Sequence, residues 1–165
     1  DSRPHSIFEV PKVRLRSSIT LTLVLALSAC GGTDIVTSIE DTTFAAGLGV
    51  NLAASTKTAS GLYYRDITVG TGATAVAGKT IAVHYTGALT NGTIFDANGT
   101  TATPFSFVLG QGQVIAGWDE GVVGMQVGGS RQLIIPPALG YGAGGSGPIP
   151  GNAILVFTVI MVSTS

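Results

Sequence analysis

The sequence of 165 residues is poor in charged side chains and has a single cysteine, Cys30. Only 10% of its residues are charged and the formal net charge is -1, so the sequence shows no basic stripe that could bind nucleic acid. One cysteine excludes an intrachain disulfide and a cysteine-based metal site. The two histidines, His5 and His84, lie far apart in the sequence and do not predict a histidine-rich metal site. We therefore expect no metal, no other cofactor and no nucleic-acid partner.

Residues 12–30 read KVRLRSSITLTLVLALSAC, in which basic residues precede an apolar run. The run has the length of a signal-peptide hydrophobic region and is too short to cross a bilayer as a free-standing helix. Its end, LSAC, resembles the lipobox of bacterial lipoproteins, which implies cleavage before Cys30 and lipidation of Cys30. Residues 1–29 are thus interpreted as a leader with a signal peptide at residues 12–29. The alternative is a buried helix with a free cysteine.

A lipidated Cys30 would attach the protein to a membrane through its acyl chains alone. Gly31 follows the cysteine, and resemblance to the sorting rule of enteric bacteria then implies the outer membrane, facing the periplasm. The rest of residues 30–60 is rich in Thr, Ser, Ala and Gly without a sustained period. This composition predicts a flexible tether with an end-to-end distance on the order of 30 Å. Alternatively, Ile35, Val36, Phe44 and Leu48 belong to a short docking helix.

From residue 61 onward, apolar and polar residues alternate between glycine-rich turns, which is typical of β-strands. Ile81, Val83 and Tyr85 share one strand face, while His84 lies on the other. The dipeptide Asn91-Gly92 between two such runs predicts a hairpin. The last run, AILVFTVIMV, is apolar on both faces and therefore needs a cover on each side, usually a helix.

One helix is predicted, in the stretch VIAGWDEGVVGM, where Ile115, Trp118 and Val122 recur at helical spacing. Gly117 and Gly121 lower the helix propensity, so the helix should be short. The pattern as a whole predicts an α+β fold over residues 61–165. Its antiparallel half-barrel sheet of five to six strands wraps around one short helix.

Three stretches of this region resemble the FKBP-type peptidyl-prolyl cis-trans isomerases: VHYTGALTNGTIFDAN, PFSFVLGQGQVIAGWDEGVVGMQVGGSRQLIIPPALGYG and IPGNAILVFTVIMV. The resemblance covers residues 61–165 and implies an FKBP-like fold that acts on Pro-containing polypeptides and binds macrolide inhibitors. Carried over to matching positions, it implies a catalytic set and a substrate-binding set. The catalytic set is Tyr85, Phe95, Asp96, Trp118, Tyr141 and Phe157, and the substrate-binding set is Phe105, Phe107, Val114, Ile115 and Ile149.

These side chains are mostly aromatic or aliphatic, which does not suit hydrolysis or group transfer. Isomerisation of an X–Pro bond needs no nucleophile, because its barrier of roughly 18–20 kcal/mol is the loss of amide resonance. The twisted amide has less charge separation than the planar one, so an apolar slot that excludes water favours it. Trp118 would form the floor of that slot. The Tyr141 hydroxyl and the Ile115 backbone N–H are the expected donors to substrate carbonyls.

Some individual residues have two interpretations. Asp96 is interpreted as an acceptor at the pocket lip that orients Tyr85, rather than as a proton-transfer acid, and otherwise as a turn-stabilising carboxylate. Phe107 belongs either to the pocket or to the core behind it. His84 is interpreted as a structural or surface residue.

The sequence departs from the family pattern in the loop at residues 142–150, which is slightly shorter and ends in Ile149-Pro150-Gly151 where the family has Ile-Pro-Pro. This difference affects the loop tip that would contact the residues flanking the substrate proline, and therefore the preference for those residues. Two functions therefore stay open: an isomerase that assists folding in the bacterial envelope, and a non-catalytic Pro-peptide-binding or chaperone module. A monomer is expected, because the thirty residues before the domain are too short and too poor in charge for a dimerising helical module.

Overall fold

The computed structural model describes residues 38–165. The predicted leader at residues 1–29, the lipidated Cys30 and the first part of the tether lie outside the described residues. In chain order the described elements are β1 (Thr56–Lys57), β2 (Tyr63–Thr68), β3 (Thr80–Leu89), β4 (Ile94–Ala97), β5 (Phe105–Val108), α1 (Ala116–Gly121), β6 (Ser130–Ile135) and β7 (Leu155–Thr164). Short 3₁₀ turns occupy Ala46–Leu48, Leu52–Ala54, Pro137–Leu139 and Gly142–Gly144. Within residues 38–165, no helix is long and apolar enough to cross a membrane.

The strands form one antiparallel sheet in the order β1-β2-β6-β7-β3-β4, and β5 pairs with the first half of β3. The predicted antiparallel sheet with one short helix is therefore confirmed. The described residues contain seven strands rather than five to six, since the two-residue β1 comes from the segment predicted as a tether. Strands β4 and β5 pair with the same edge of β3, β5 with its first half and β4 with its second half. Their aromatic residues therefore lie along one edge of the sheet.

The hairpin predicted at Asn91-Gly92 connects β3 to β4. The Leu89 N–H donates to Thr93 O at 2.9 Å, and the Gly92 N–H donates to Leu89 O at 2.9 Å. Gly92 has a φ of 88°, in the left-handed region that glycine adopts without steric cost. The Asn91 side chain accepts a hydrogen bond from the Thr93 N–H at 2.9 Å and closes the turn. The predicted hairpin is confirmed, and the hydrogen bonds of the turn and the conformation of Gly92 explain why it forms.

Helix α1 covers one face of the sheet, which we call the front face. Its glycines allow a close approach, because a Cβ on Gly117 would lie 2.5 Å from Ile135 Cγ2 and one on Gly121 would lie 2.7 Å from Leu133 Cδ2. Arg131 caps the end of the helix by donating from Nη1 to the carbonyls of Gly121 and Val123, each at 2.9 Å. The large core beneath the helix contains Leu62, Ala75, Ile81, Val83, Phe107, Leu109, Trp118, Val122, Met125, Leu133, Ile135, Ile149, Leu155, Phe157, Val159 and Met161.

The opposite face, the back face, is covered by residues 38–55, which we call the strap. The sequence predicted a flexible tether here, whereas the structure packs the strap against the sheet. Ile39 is 4% exposed and forms a second core with Tyr63, Ile134, Ile154 and Val156. Partly buried strap residues complete this core: Phe44, Leu48, Val50 and Leu52. The physical reason is the apolar second face of β7, whose burial stabilises the fold when the strap covers it.

Hydrogen bonds fix the strap along its length. The Ala45 N–H donates to Thr90 O at 2.8 Å, Gln132 Nε2 donates to Leu48 O at 2.7 Å, and Arg65 Nη2 donates to Gly49 O at 2.9 Å. These bonds use backbone groups of the strap, so they depend little on which side chains the strap carries.

A side-chain cluster adds to the attachment of the strap. Glu40 accepts hydrogen bonds from Lys57 Nζ and the Tyr63 hydroxyl, and the bond from Lys57 is the main cause that lowers the pKa of Glu40 to about 2. Glu40 is thus charged and paired at neutral pH, which joins the strap to β1 and β2.

Candidate active site

A cavity of about 180 Å³ opens on the front face beside α1. Its lining residues come from β3, β4, β5, β7 and α1, from the loop that leads into the helix and from the segment after β6. Its lining is dominated by aromatic and aliphatic side chains with one carboxylate and one amide, namely Tyr85, Phe95, Asp96, Phe105, Gln113, Val114, Ile115, Trp118, Tyr141 and Phe157. An apolar concavity with a few polar groups is the usual form of a small-ligand site.

Trp118 forms the floor of this cavity and is only 4% exposed. Its ring meets Tyr85 at 5.1 Å and 83°, and Phe157 at 5.3 Å and 87°, measured between ring centroids and planes. Both contacts are edge-to-face, an arrangement that aromatic pairs favour. Because α1 and two strands hold the indole from three sides, the floor of the cavity is fixed in orientation.

The wall opposite the helix depends on a glycine in β3. A Cβ on Gly87 would lie 2.5 Å from Phe157 Cε1 and 2.8 Å from Phe95 Cζ. The missing side chain lets these two rings meet edge to face at 5.5 Å across β3. Phe105 and Tyr141 stand at the open rim and are 40% and 39% exposed. Gly87 therefore shapes the cavity without lining it, and sequence reasoning did not single it out.

Tyr85 and Asp96 form the polar lip of the cavity. The Tyr85 hydroxyl donates to Asp96 Oδ2 at 2.8 Å. Burial of the phenol, together with this hydrogen bond, raises the pKa of Tyr85 to about 12. The phenol is therefore neutral at physiological pH and acts as a donor, and Asp96 serves as its acceptor. This geometry matches the interpretation of Asp96 as a residue that orients Tyr85.

The loop before α1 is held by a side chain of the helix and by one of the loop itself. Asp119 accepts hydrogen bonds from the backbone N–H groups of Gly110 and Gly112, each at 2.8 Å. Gln113 Oε1 accepts from the Val108 N–H at 2.8 Å. Among residues 38–165 no acceptor takes the N–H of Ile115, which lies at the N-terminus of the helix. That N–H is available to a bound ligand.

The structure brings all but two of the predicted site residues to the cavity, and their catalytic and binding roles stay predictions. Phe107 is 3% exposed, and its ring centroid lies 5.7 Å from that of Trp118. It lies on the same face of β5 as Phe105, two residues further along, where the strand is covered. Ile149 is 6% exposed, since mutual backbone hydrogen bonds with Ser146 at 2.9 Å fold it inward. Neither residue is among those that line the cavity and both belong to the front core, while their role in substrate binding stays a prediction.

Gln113 lines the cavity and was missed. A polar residue directly before Val114-Ile115 was the available signal, but its side chain faces a backbone N–H that only the folded loop presents. His84 is 8% exposed, and its Nδ1 lies 3.2 Å from Asn98 O. It is thus a buried structural residue. No group of three or more His, Cys, Asp or Glu side chains in the described part of the chain is arranged to hold a metal ion.

Comparison with known proteins agrees with this geometry. The sequence profile of the FKBP-type peptidyl-prolyl cis-trans isomerases matches residues 72–162. The "FK506-binding protein" of Neisseria meningitidis serogroup B is 53% identical over 100 residues, which are 60% of this chain and 92% of that protein. "FK506-binding protein 4" of Rhizopus delemar is 50% identical over 109 residues, 66% of this chain and 28% of that protein. The crystal structure of FkpA from Escherichia coli aligns with a TM-score of 0.63 and 37% identity, covering 68% of this chain and 52% of FkpA.

The chain belongs to the FKBP-type peptidyl-prolyl cis-trans isomerase family. It spans most of the Neisseria relative but only 28% of the Rhizopus relative and about half of FkpA. The family match covers the strands and the helix that surround the cavity.

Proposed function

We propose that the protein catalyses cis–trans isomerisation of X–Pro bonds in polypeptides and that the cavity over Trp118 is its active site. The observation that carries this proposal is the apolar aromatic lining on a rigid floor, in a chain of the isomerase family. Uncatalysed X–Pro isomerisation takes tens to hundreds of seconds, so even modest stabilisation of the twisted amide is useful.

The cavity can favour the twisted amide in two ways. A pyrrolidine ring seated on the Trp118 indole, between Tyr85 and Phe157, leaves the amide in surroundings with little water. Desolvation raises the free energy of the planar, charge-separated amide more than that of the twisted one, which lowers the barrier. The family resemblance also supports macrolides as inhibitors that would fill the same apolar cavity.

Two donors are placed to hold the substrate backbone. The Ile115 N–H, which no acceptor among residues 38–165 takes, and the Tyr141 hydroxyl both belong to residues that line the cavity. Hydrogen bonds to two substrate carbonyls would fix the peptide in a turn and leave the X–Pro bond to rotate. Asp96 acts indirectly, by keeping the neutral phenol of Tyr85 in the wall.

The test is the rate of cis–trans interconversion of an Xaa-Pro peptide with the purified chain, followed by NMR exchange, with macrolide binding measured in parallel. We expect catalysis that the macrolide inhibits. A folded chain that binds Pro-peptides or the macrolide without turnover would overturn the enzyme proposal and support the non-catalytic binding or chaperone module. Tyr141→Phe serves as the variant that should weaken substrate binding while leaving the fold intact.

We propose further that the protein is a lipoprotein of the bacterial envelope, anchored through Cys30, where it assists protein folding. The order of basic residues, apolar run and LSAC supports this location. Cys30 lies eight residues before Ser38, so even a fully extended connection would keep the strap within about 30 Å of the anchor. Mass spectrometry of the membrane-associated protein should find an acylated Cys30 as the first residue. A soluble, unprocessed chain that Cys30→Ala leaves unchanged would contradict the proposal.

A further inference from the structure

The outer side of β3 has a gap in its strand pairing at the residue that forms the cavity wall. β4 pairs with β3 from Thr86 to Ala88, and β5 pairs with it from Thr80 to Val83. Between these two ladders lie His84 and Tyr85, which neither strand reaches. Backbone groups left unpaired beside a binding site are costly and let water in, so the partner that fills this gap matters for the site.

Asn98, the residue after β4, fills the gap. Its Oδ1 accepts from the Tyr85 N–H at 2.8 Å, and its Nδ2 donates to Val83 O at 3.2 Å. Its own backbone N–H donates to Tyr85 O at 3.1 Å, while its carbonyl oxygen lies 3.2 Å from His84 Nδ1. The side chain therefore replaces a strand residue in the ladder, with the amide supplying the acceptor and the donors that this needs.

The same side chain reaches the segment that leads into the next strand. Asn98 Nδ2 lies 3.4 Å from the carbonyl oxygen of Thr103, two residues before Phe105. Asn98 thus connects the three strands that carry the rim: β3 with Tyr85, β4 with Asp96 and β5 with Phe105. It is half-buried and does not line the cavity, so it touches no bound substrate.

We propose that Asn98 is a positioning residue of the isomerase site, which acts by holding Tyr85 against Asp96 and Phe105. This inference rests on the proposed function. The rings of Tyr85 and Phe105 lie 6.0 Å apart, and the Tyr85 ring also packs on Trp118, so a shift of β4 or β5 away from β3 would open the apolar slot. Water that enters the slot stabilises the planar amide and slows rotation.

The test compares Asn98→Ala with Asn91→Ala in the full chain. Asn91 makes one local hydrogen bond in the same β3–β4 hairpin, remote from the cavity, so it is a matched control. We expect Asn98→Ala to lower kcat/KM about tenfold, as for the loss of hydrogen bonds that orient a wall of the site, and Asn91→Ala to leave it unchanged. Equal kcat/KM in the two folded variants overturns the proposal, whereas an inactive parent overturns the proposed function instead.

Two readouts separate positioning from a general loss of stability. In a Tyr85→Ala background, Asn98→Ala should cost much less than tenfold, because its effect passes through the position of the Tyr85 ring. Ultraviolet titration, assigned by difference with Tyr85→Phe, should show the Tyr85 pKa falling toward 10 in Asn98→Ala. An unchanged titration, or the same loss in both backgrounds, contradicts the proposal. Should Asn98→Ala fail to fold, Asn98→Ser against Asn91→Ser gives the same comparison.

Discussion

The two faces of the sheet are covered by different means. On the front face a six-residue helix packs through glycines onto a large core and leaves a cavity lined by aromatic rings. On the back face the strap packs its Ile39 against four other buried residues and is fixed largely through its own backbone carbonyls and N–H groups. The front face depends on the identity of particular side chains, whereas the back face requires only apolar residues at a few positions. The predictions below test whether activity depends on the front face and whether the back face contributes only to stability.

The largest effect is expected at the floor of the cavity. Trp118→Leu should lower kcat/KM about a hundredfold, because the proline ring loses the rigid surface that orients it. Phe107→Leu is the matched control, since Phe107 lies in the same core but behind the cavity. It should lower the free energy of unfolding by about 1–3 kcal/mol and change kcat/KM little. Enzyme assays measure kcat/KM and urea unfolding measures the free energy of unfolding. Similar activity losses in the two variants would support the predicted binding role of Phe107.

Truncation of the strap side chain that is buried in the back core should lower stability and leave activity unchanged. Ile39→Ala removes the buried strap residue of the back core and should cost about 2 kcal/mol, the lower end for a buried aliphatic residue, because this core is small. Ile94→Ala, at a position 62% exposed, should stay within about 0.5 kcal/mol of the parent. Urea unfolding gives these values. A loss of kcat/KM in folded Ile39→Ala would show that the two faces are coupled.

A matched pair of glycines gives an effect of similar size. An added Cβ at Gly117 would clash with Ile135, so Gly117→Ala should destabilise the protein by about 1–3 kcal/mol despite its better helix propensity. Gly47, in the strap, has no atom within 4 Å of such a Cβ, so Gly47→Ala should be neutral within about 0.5 kcal/mol. Thermal unfolding distinguishes them. A stabilising Gly117→Ala would mean that α1 lies farther from the sheet.

The smallest effect concerns pH and the strap. Hydrogen bonds from Lys57 and Tyr63 lower the pKa of Glu40 to about 2, below the 4.5 of a free glutamate. A depressed carboxyl pKa stabilises the fold above pH 4.5, and this contribution is lost as the pH falls through about 2. The melting temperature of Glu40→Gln should therefore fall less steeply than that of the parent between these values. Parallel curves would mean that the Glu40 cluster does not hold the strap.

The strap and the buried positions of Phe107 and Ile149 show why part of the structure could not be predicted from the sequence. The apolar second face of β7 correctly indicated a cover, but a helix was the expected form, and the strap has no helical period. Its hydrogen bonds from Gln132 and Arg65 go to backbone carbonyls, which every residue carries. Phe107 alternates in phase with Phe105, so periodicity placed both on one face without giving their depth.

The residues around the cavity were predicted from the family resemblance. By itself, the sequence determined the antiparallel strands, the hairpin at Asn91-Gly92 and the short helix. These features arise from alternation, turn chemistry and helical spacing, which act between residues close together along the chain. Only the tertiary structure decided how the strap packs, where Phe107 and Ile149 lie, and that Asn98 joins three strands. Those outcomes depend on backbone groups and buried volume brought together from distant positions, and such contacts carry no signature in the local sequence.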